Sequence, residues 1–193
     1  MQTIKCVAVG DPGVGKTCLM ITYCTNTFRT ESVPSVFDNN VVTAMIGDTP
    51  YSLHIYDTTT DGHYERLRPL SYPMTDVFLI CFSIASPESF ENVKDKWFPE
   101  VHHHCPHVAC LLVGTKVDLR ADPKVVANLA KKNQSTVAKT DGEKLAKDIR
   151  AYRYIEVSAL IHYGVTEVFN EAIVAAINHP RKPRSRGTPC VVL

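Results

Sequence analysis

What the chain lacks sets its limits first. No stretch of the 193 residues approaches 18 consecutive apolar positions, so nothing reads as a membrane-spanning helix. No Cys-x-x-Cys pair occurs, and the cysteine count is odd: Cys6, Cys18, Cys24, Cys81, Cys105, Cys110 and Cys190. That pattern excludes a secreted disulfide framework and predicts a reducing, cytosolic setting. Met1 to Gly10 holds neither a basic leader nor a long apolar core, so no secretory signal is expected there. Charge of one sign is missing too. Lys plus Arg number 21 and Asp plus Glu 20, a net +1, which excludes a uniformly basic nucleic-acid binder and an acidic disordered chain. There is no internal repeat, no Ser-His-Asp arrangement and no carboxylate pair that would suggest hydrolytic chemistry.

The near-neutral total conceals an asymmetry. Arg181, Lys182, Arg184 and Arg186 lie in the last stretch, which has no acid; without them 17 basic residues face 20 acidic ones, and residues 1–180 carry −3. The chain is long enough to bury a single core without staples. Up to residue 178 it alternates strand-like and helix-like patterns, which predicts an α/β domain with a mostly parallel sheet. Strands are expected at Ile4 to Val9, Val41 to Gly47, Tyr51 to Asp57, Val77 to Ser83, Val108 to Thr115 and Tyr154 to Ser158. The second and third are joined by a hairpin turn, Gly47-Asp48-Thr49-Pro50. Helices are expected at Lys16 to Cys24, Pro87 to His103, Asp141 to Arg150 and Val165 to Ile177, with a short surface helix within 120–138. Phe90, Val93, Trp97 and Val101 share one helical face, as do Val165, Val168, Phe169, Ile173 and Ile177. Trp97 on that stripe reads as core. From His179, prolines and basic residues predict a flexible tail.

Gly10-Asp11-Pro12-Gly13-Val14-Gly15-Lys16-Thr17 matches G-x-x-x-x-G-K-[ST] between a strand and a helix. The physics of such a loop is specific. Backbone N–H groups and the helix dipole attract phosphate, a lysine reaches the β- and γ-phosphates, and the Thr17 hydroxyl can bind Mg²⁺. Thr115-Lys116-Val117-Asp118 and Ser158-Ala159-Leu160 each follow a strand, at the edge where open α/β sheets bind ligands. The Asp118 carboxylate can accept from guanine N1–H and N2–H₂, a pair that adenine does not offer, and the Lys116 stem can lie over the base. His102-His103-His104-Cys105-Pro106-His107 tempts as a metal site. Neighbouring positions on a helix point about 100° apart, however, and Pro106 breaks the His103–His107 spacing, so a solvated helix end is expected. Cys190-Val191-Val192-Leu193 reads as a C-a-a-X box with leucine last, which predicts geranylgeranylation of Cys190, with the upstream basic residues as a second membrane signal.

GDPGVGKT, DTTTDG, TKVD and SAL, in that order, resemble the Ras-like small GTPases. VPSVFDN, RLRPLSYP, SFENVKDKWFPEV and VGTKVDLR, with extra residues near 121–134, are similar to the Rho family, and most to its branch named for control of the cell-division cycle. The resemblance covers almost the whole chain. It implies a P-loop G domain over residues 1–178, with a six-stranded, mostly parallel sheet, helices on both faces and a Rho-type insert. It implies GTP or GDP and Mg²⁺ as ligands, and a monomer that binds no nucleic acid. The phosphates would be held by Pro12, Gly13, Val14, Gly15, Lys16, Thr17, Cys18, Ser35 and Thr60. Phe28, Thr115, Lys116, Asp118, Leu119, Ser158, Ala159 and Leu160 would hold the guanine. Mg²⁺ would be held by Thr17 and Ser35, and by Asp57 through water. Effectors would dock on Ser32, Val33, Pro34, Ser35, Val36, Phe37, Asp38, Asn39 and Asn40. Exchange factors and a dissociation inhibitor are the other implied partners. Lipidation would place the protein on the cytoplasmic face of the plasma membrane or endomembranes, with a cytosolic pool, in actin- and polarity-type signalling.

The chain departs from that family where the γ-phosphate is sensed and cut. The family pattern D-T-A-G-Q-E reads here Asp57-Thr58-Thr59-Thr60-Asp61-Gly62. Thr60 replaces a glycine whose N–H meets the γ-phosphate, and its Cβ restricts φ. Asp61 replaces the glutamine that orients the attacking water, and brings a charge that a triphosphate repels. Pro12 replaces a glycine, locks φ and removes an N–H. Ser32 and Asn40 replace tyrosines, and Ser35 replaces the Mg²⁺-binding threonine. The catalytic pair by position is therefore Lys16 and Asp61, and slow hydrolysis with a bias to the GTP state is expected. Compensation by Asp61 holding a water, or by Gly62 supplying flexibility, is the competing reading. A non-catalytic GTP-bound module that recruits partners constitutively is the alternative function. A P-loop kinase or ATPase is disfavoured by TKVD and SAL.

Overall fold

The computed structural model describes residues 1–28, 40–58 and 66–179. A six-stranded sheet runs through its centre in the order β2-β3-β1-β4-β5-β6. β1 (Gln2–Val9) pairs in parallel with β3 (Thr49–Tyr56) and β4 (Val77–Ser83), and β4, β5 (Ala109–Thr115) and β6 (Arg153–Glu156) continue in parallel. Only the edge strand β2 (Asn40–Ile46) is antiparallel, to β3. Every residue of β4 is buried, as a continuous apolar run covered on both faces requires.

The two faces are assigned by the period of two along β1. Ile4, Cys6 and Ala8 join one core with Leu79, Cys81, Leu111 and Val113. Onto it pack Leu19 and Met20 of α1 (Lys16–Thr25) and Phe169, Ala172 and Ile173 of α6 (Val165–Asn178). Val7 and Val9 face the other core, with Phe78, Ile80 and Leu112. That side is covered by Val93, Trp97 and Val101 and by Leu145 and Ala146 of α5 (Lys139–Asp148). Fully burying one such Phe or Ile contributes about 1.5–3 kcal/mol, so the helical stripes dock the helices where their own propensity is too weak to hold them.

Several element bounds differ from the expectation for identifiable reasons. The hairpin turn is only Gly47-Asp48, with Gly47 at φ 58°. Thr49 and Pro50 already belong to β3; Pro50 lies outside the β1 register, which begins at Gln2↔Tyr51, so its missing N–H interrupts no bond to β1. The helix expected at Pro87 to His103 runs as α2 (Pro87–Asn92), one π turn (Val93–Trp97) and α3 (Phe98–His104). Ser86 caps its start, accepting from the Ser89 N–H, with Pro87 in the first turn. Within the polar 120–138 stretch only α4 (Pro123–Ala130) forms, started by Asp122, which accepts from the N–H groups of Lys124 and Val125 at 2.9 and 3.0 Å. β5 starts one residue later than expected, β6 spans Arg153–Glu156 in place of Tyr154 to Ser158, and α5 starts and ends two residues earlier than expected. Among the described residues no helix is long and apolar enough to cross a membrane. The tail from Pro180 onward, with Cys190, lies outside the described residues.

Candidate functional site

The carboxyl ends of β1, β3 and β5 and the turn after β6 converge on one edge of the sheet. β1 leads into Gly10, whose φ of 145° and contact with the Cys81 carbonyl leave no room for a Cβ. The loop then closes on Gly15, at φ 105°, which caps α1. No acid occupies the first turn of α1, so its positive end is left for an anion.

Lys16 points into this loop. It is buried, and its Nζ donates to the carbonyls of Gly10 (2.8 Å) and Asp11 (2.9 Å). Burial lowers its ammonium pKa from the ordinary lysine value, opposed by the nearby carboxylates of Asp57 and Asp11. A polyanion at the loop mouth would supply the missing counter-charge. Other elements brace the loop from outside. The Thr115 hydroxyl bonds the carbonyls of Val14 and Phe82, and Lys116 Nζ donates to the Gly13 carbonyl at 2.6 Å. Lys116 itself is left-handed, φ 57°, at the end of β5, a conformation that costs about 1–3 kcal/mol and aims the side chain back over the loop. Pro12 and Gly13 are exposed at the tip, and Val14 is buried beneath it.

Beside the loop, the Thr17 hydroxyl donates to Asp57 Oδ2 at 2.6 Å. Asp57 follows β3 and is nearly buried, and the next hydroxyl, Thr58 Oγ1, donates to the Ala8 carbonyl at 2.7 Å and fixes this corner to β1. A hydroxyl and a carboxylate, both hard oxygen donors, next to a phosphate-binding loop form the donor set that suits Mg²⁺, which prefers one or two carboxylates plus phosphate oxygens and water.

On the other flank of α1's start is an open pocket of about 500 Å³, lined by Gly15, Cys18, Leu19, Phe28, Thr115, Lys116, Asp118, Leu119, Val157, Ala159 and Leu160. The walls are largely apolar, and Asp118 is the only carboxylate among these lining residues. Cys18, in the first turn of α1, also lines this pocket, and burial pushes its thiol pKa up. Ser158 is fully buried and does not line the pocket; its Oγ accepts from the Ile161 N–H at 3.3 Å and shapes the turn that presents Ala159 and Leu160.

Behind the pocket, Arg120 grips Glu156 through both guanidinium nitrogens, and the Tyr154 hydroxyl donates to Glu156 Oε1 at 2.9 Å. Burial alone would raise the Glu156 pKa, but the hydrogen bonds from Arg120 and Tyr154 prevail and hold it below the usual carboxylate value. This pair ties the 117–121 turn, which carries Asp118, to β6.

Sequence reasoning missed some contributors. Leu19 and Val157 line the pocket although they read as core positions. Trp97 is buried, as expected of core, yet its indole Nε1 donates to Asp11 Oδ1 at 2.7 Å, beside an equal bond from Asn92 Nδ2 to Oδ2. The only available signal was the polar atom of a lone tryptophan, which usually finds a partner when buried. His102, His103 and His104 stand exposed at the end of α3, and no group of three or more His, Cys, Asp or Glu among the described residues is placed to hold a metal. Ser32, Val33, Pro34, Ser35, Val36, Phe37, Asp38, Asn39, Thr60 and Asp61 lie outside the described residues; Asn40 is half-buried at the start of β2.

The sequence model of the Ras family matches residues 5–178, from within β1 to the end of α6, and so takes in the phosphate loop, the Thr17–Asp57 corner and the pocket. The chain belongs to the Ras family of small GTPases, whose domain implies a GTP-binding switch.

Proposed function

We propose that the protein is a Rho-type GTP-binding switch of the cell-division-cycle branch, anchored to membranes by a prenylated Cys190 and a basic tail, with slow GTP hydrolysis and a bias to the GTP state. The observation that carries this reading is a contrast. The parts that bind a guanine nucleotide are assembled, with Lys16 seated in the loop and Asp118 in the pocket, while Pro12, Thr60 and Asp61 stand where hydrolysis needs glycine, glycine and glutamine.

In this reading the loop amides and Lys16 bind the β- and γ-phosphates, and Asp118 accepts from the guanine N1–H and N2–H₂. Phe28, Lys116 and Leu160 enclose the base. Thr17 and Ser35, with Asp57 through water, would hold Mg²⁺, whose positive charge would offset that of the phosphates. Asp61 lacks the reach and the neutral amide to orient water against a triphosphate, so phosphoryl transfer loses one of its larger positioning contributions. The lipid and the Arg181–Arg186 cluster together give two membrane signals where one lipid alone binds marginally. Exchange factors and effectors are general partners of the Ras family; a dissociation inhibitor that covers the lipid follows from the Rho reading. Ser32, Ser35 and Asn40 alter the effector segment.

That altered segment also favours a second reading, a GTP-bound module that recruits partners without switching. Denaturing purified full-length protein and identifying the released nucleotide tests the first reading: GTP in excess of GDP is expected, and mostly GDP contradicts it. Equal partner binding in both nucleotide states marks the module; binding confined to the GTP state marks the switch.

A further inference from the structure

The lone tryptophan does more than fill the core. Asp11 opens the phosphate loop, and Pro12 after it disfavours a helical conformation at Asp11 and leaves the next residue without an N–H. The loop's first bend is held by a side chain instead: both oxygens of the Asp11 carboxylate accept bonds at 2.7 Å, from Asn92 Nδ2 and Trp97 Nε1. These two donors are five residues apart. On a regular α-helix they would diverge by about 140°. The π turn Val93–Trp97, closed by the Phe98 N–H on the Val93 carbonyl, adds a residue to that turn and brings both donors to the same carboxylate. The ring is fixed from its face by Arg68, whose Cζ lies 4.6 Å from the ring centroid. Arg68 in turn donates twice to Glu100, which also accepts from the Tyr72 hydroxyl. Asp11 meanwhile offers its backbone carbonyl to Lys16 Nζ at 2.9 Å, so one residue joins the anchored carboxylate to the lysine's seat.

We propose that Trp97 is a positioning residue for nucleotide binding: with Asn92 it anchors the Asp11 carboxylate, holds the carbonyls that seat Lys16, and so lengthens the residence time of bound guanine nucleotide. The inference rests on residues 10–17 being the phosphate loop. A merely space-filling tryptophan needs only its ring. Here a π turn and an aimed N–H serve a residue 86 positions away.

The test uses the full chain and a fluorescent guanine diphosphate analogue released in Mg²⁺ buffer. Trp97→Phe keeps most of the ring and removes the N–H; release about tenfold faster is expected, the scale of one lost charge-assisted hydrogen bond. Asp11→Ala, at a partly exposed position, gives at least the same acceleration and keeps the question open to measurement if the Phe variant folds poorly. The double variant releases no faster than Asp11→Ala alone. Asp11→Asn keeps an oxygen for one donor but turns its NH₂ toward the other, so release faster than the parent and no faster than Asp11→Ala is expected, and parent-like release contradicts the anchoring role. Release unchanged within about twofold in Trp97→Phe, or effects that multiply in the double variant, would overturn the proposal, because loss of packing alone lowers the unfolding midpoint without a coupled change in release. Lys16→Ala, run in parallel, tests the loop itself. It abolishes binding if the loop holds the phosphates; tight binding there would remove the premise whatever the Trp97 comparison gives.

Discussion

Replacing Asp118 by Asn changes no volume but inverts half of its hydrogen-bonding character. Among the described residues that line the pocket of about 500 Å³, Asp118 is the only carboxylate, so none of them could take its place against a base. In the proposed function the carboxylate accepts two bonds from guanine, and each bond to a charged group contributes about 1.5–3 kcal/mol. Asn keeps one neutral acceptor and turns a donor toward the guanine amine, so most of both bonds is lost. The expected cost is about 3–6 kcal/mol, a loss of about 10²–10⁴ in guanine affinity. The same NH₂ group meets the C2 carbonyl of xanthine, which carries an acceptor where guanine has its amine, so xanthine affinity rises. Competition of GDP, XDP and ADP against a fluorescent guanine nucleotide reads all three. Guanine affinity within tenfold of the parent, or no gain for xanthine, would refute the assignment of Asp118 to the base.

Two further outcomes concern the frame around the site. Gly10→Ala places a Cβ into the Cys81 carbonyl at a φ of 145°, and about 2–5 kcal/mol of strain and overpacking is expected, read as a lower midpoint in denaturant with an unchanged slope. Glu156 has its folded pKa held below 4.5, so its contribution is present above that value and is lost as pH falls through the lower, folded pKa. Glu156→Gln should therefore cost about 1–3 kcal/mol near pH 7 and flatten the acid limb of a stability–pH profile; a variant that loses stability as steeply as the parent just below pH 4.5 would contradict this.

The loop and the base motif were legible because their chemistry is local. Gly10, Gly15, Lys16 and Thr17 need particular residue types in a row, and TKVD follows a strand whose burial shows in its composition. The alternating strands and the stripe of α6 were legible for the same reason. The π turn was not. Phe90, Val93, Trp97 and Val101 are spaced as an ordinary helix would space them, and the extra residue accompanies a pair of bonds to Asp11, 81 and 86 positions away. Nor is the left-handed Lys116 legible, since the bond that accompanies it, from Nζ to Gly13, spans 103 positions. That the Ser158 oxygen also braces the turn beside the pocket, accepting from the Ile161 N–H, is a three-dimensional detail that the Ser-Ala-Leu motif does not carry. The start of α5 was placed two residues late because Ala138 offers no side-chain cap to mark it.

The proposed switch binds GTP but cuts it slowly. Single-turnover hydrolysis of GTP by the full-length protein in Mg²⁺ tests this, with the Thr60→Gly, Asp61→Gln double variant alongside. Slow turnover is expected in the parent and a rate at least about tenfold higher in the variant, since restoring the water-orienting amide returns one of the larger contributions to phosphoryl transfer. A parent that hydrolyses GTP as fast as the variant would contradict it.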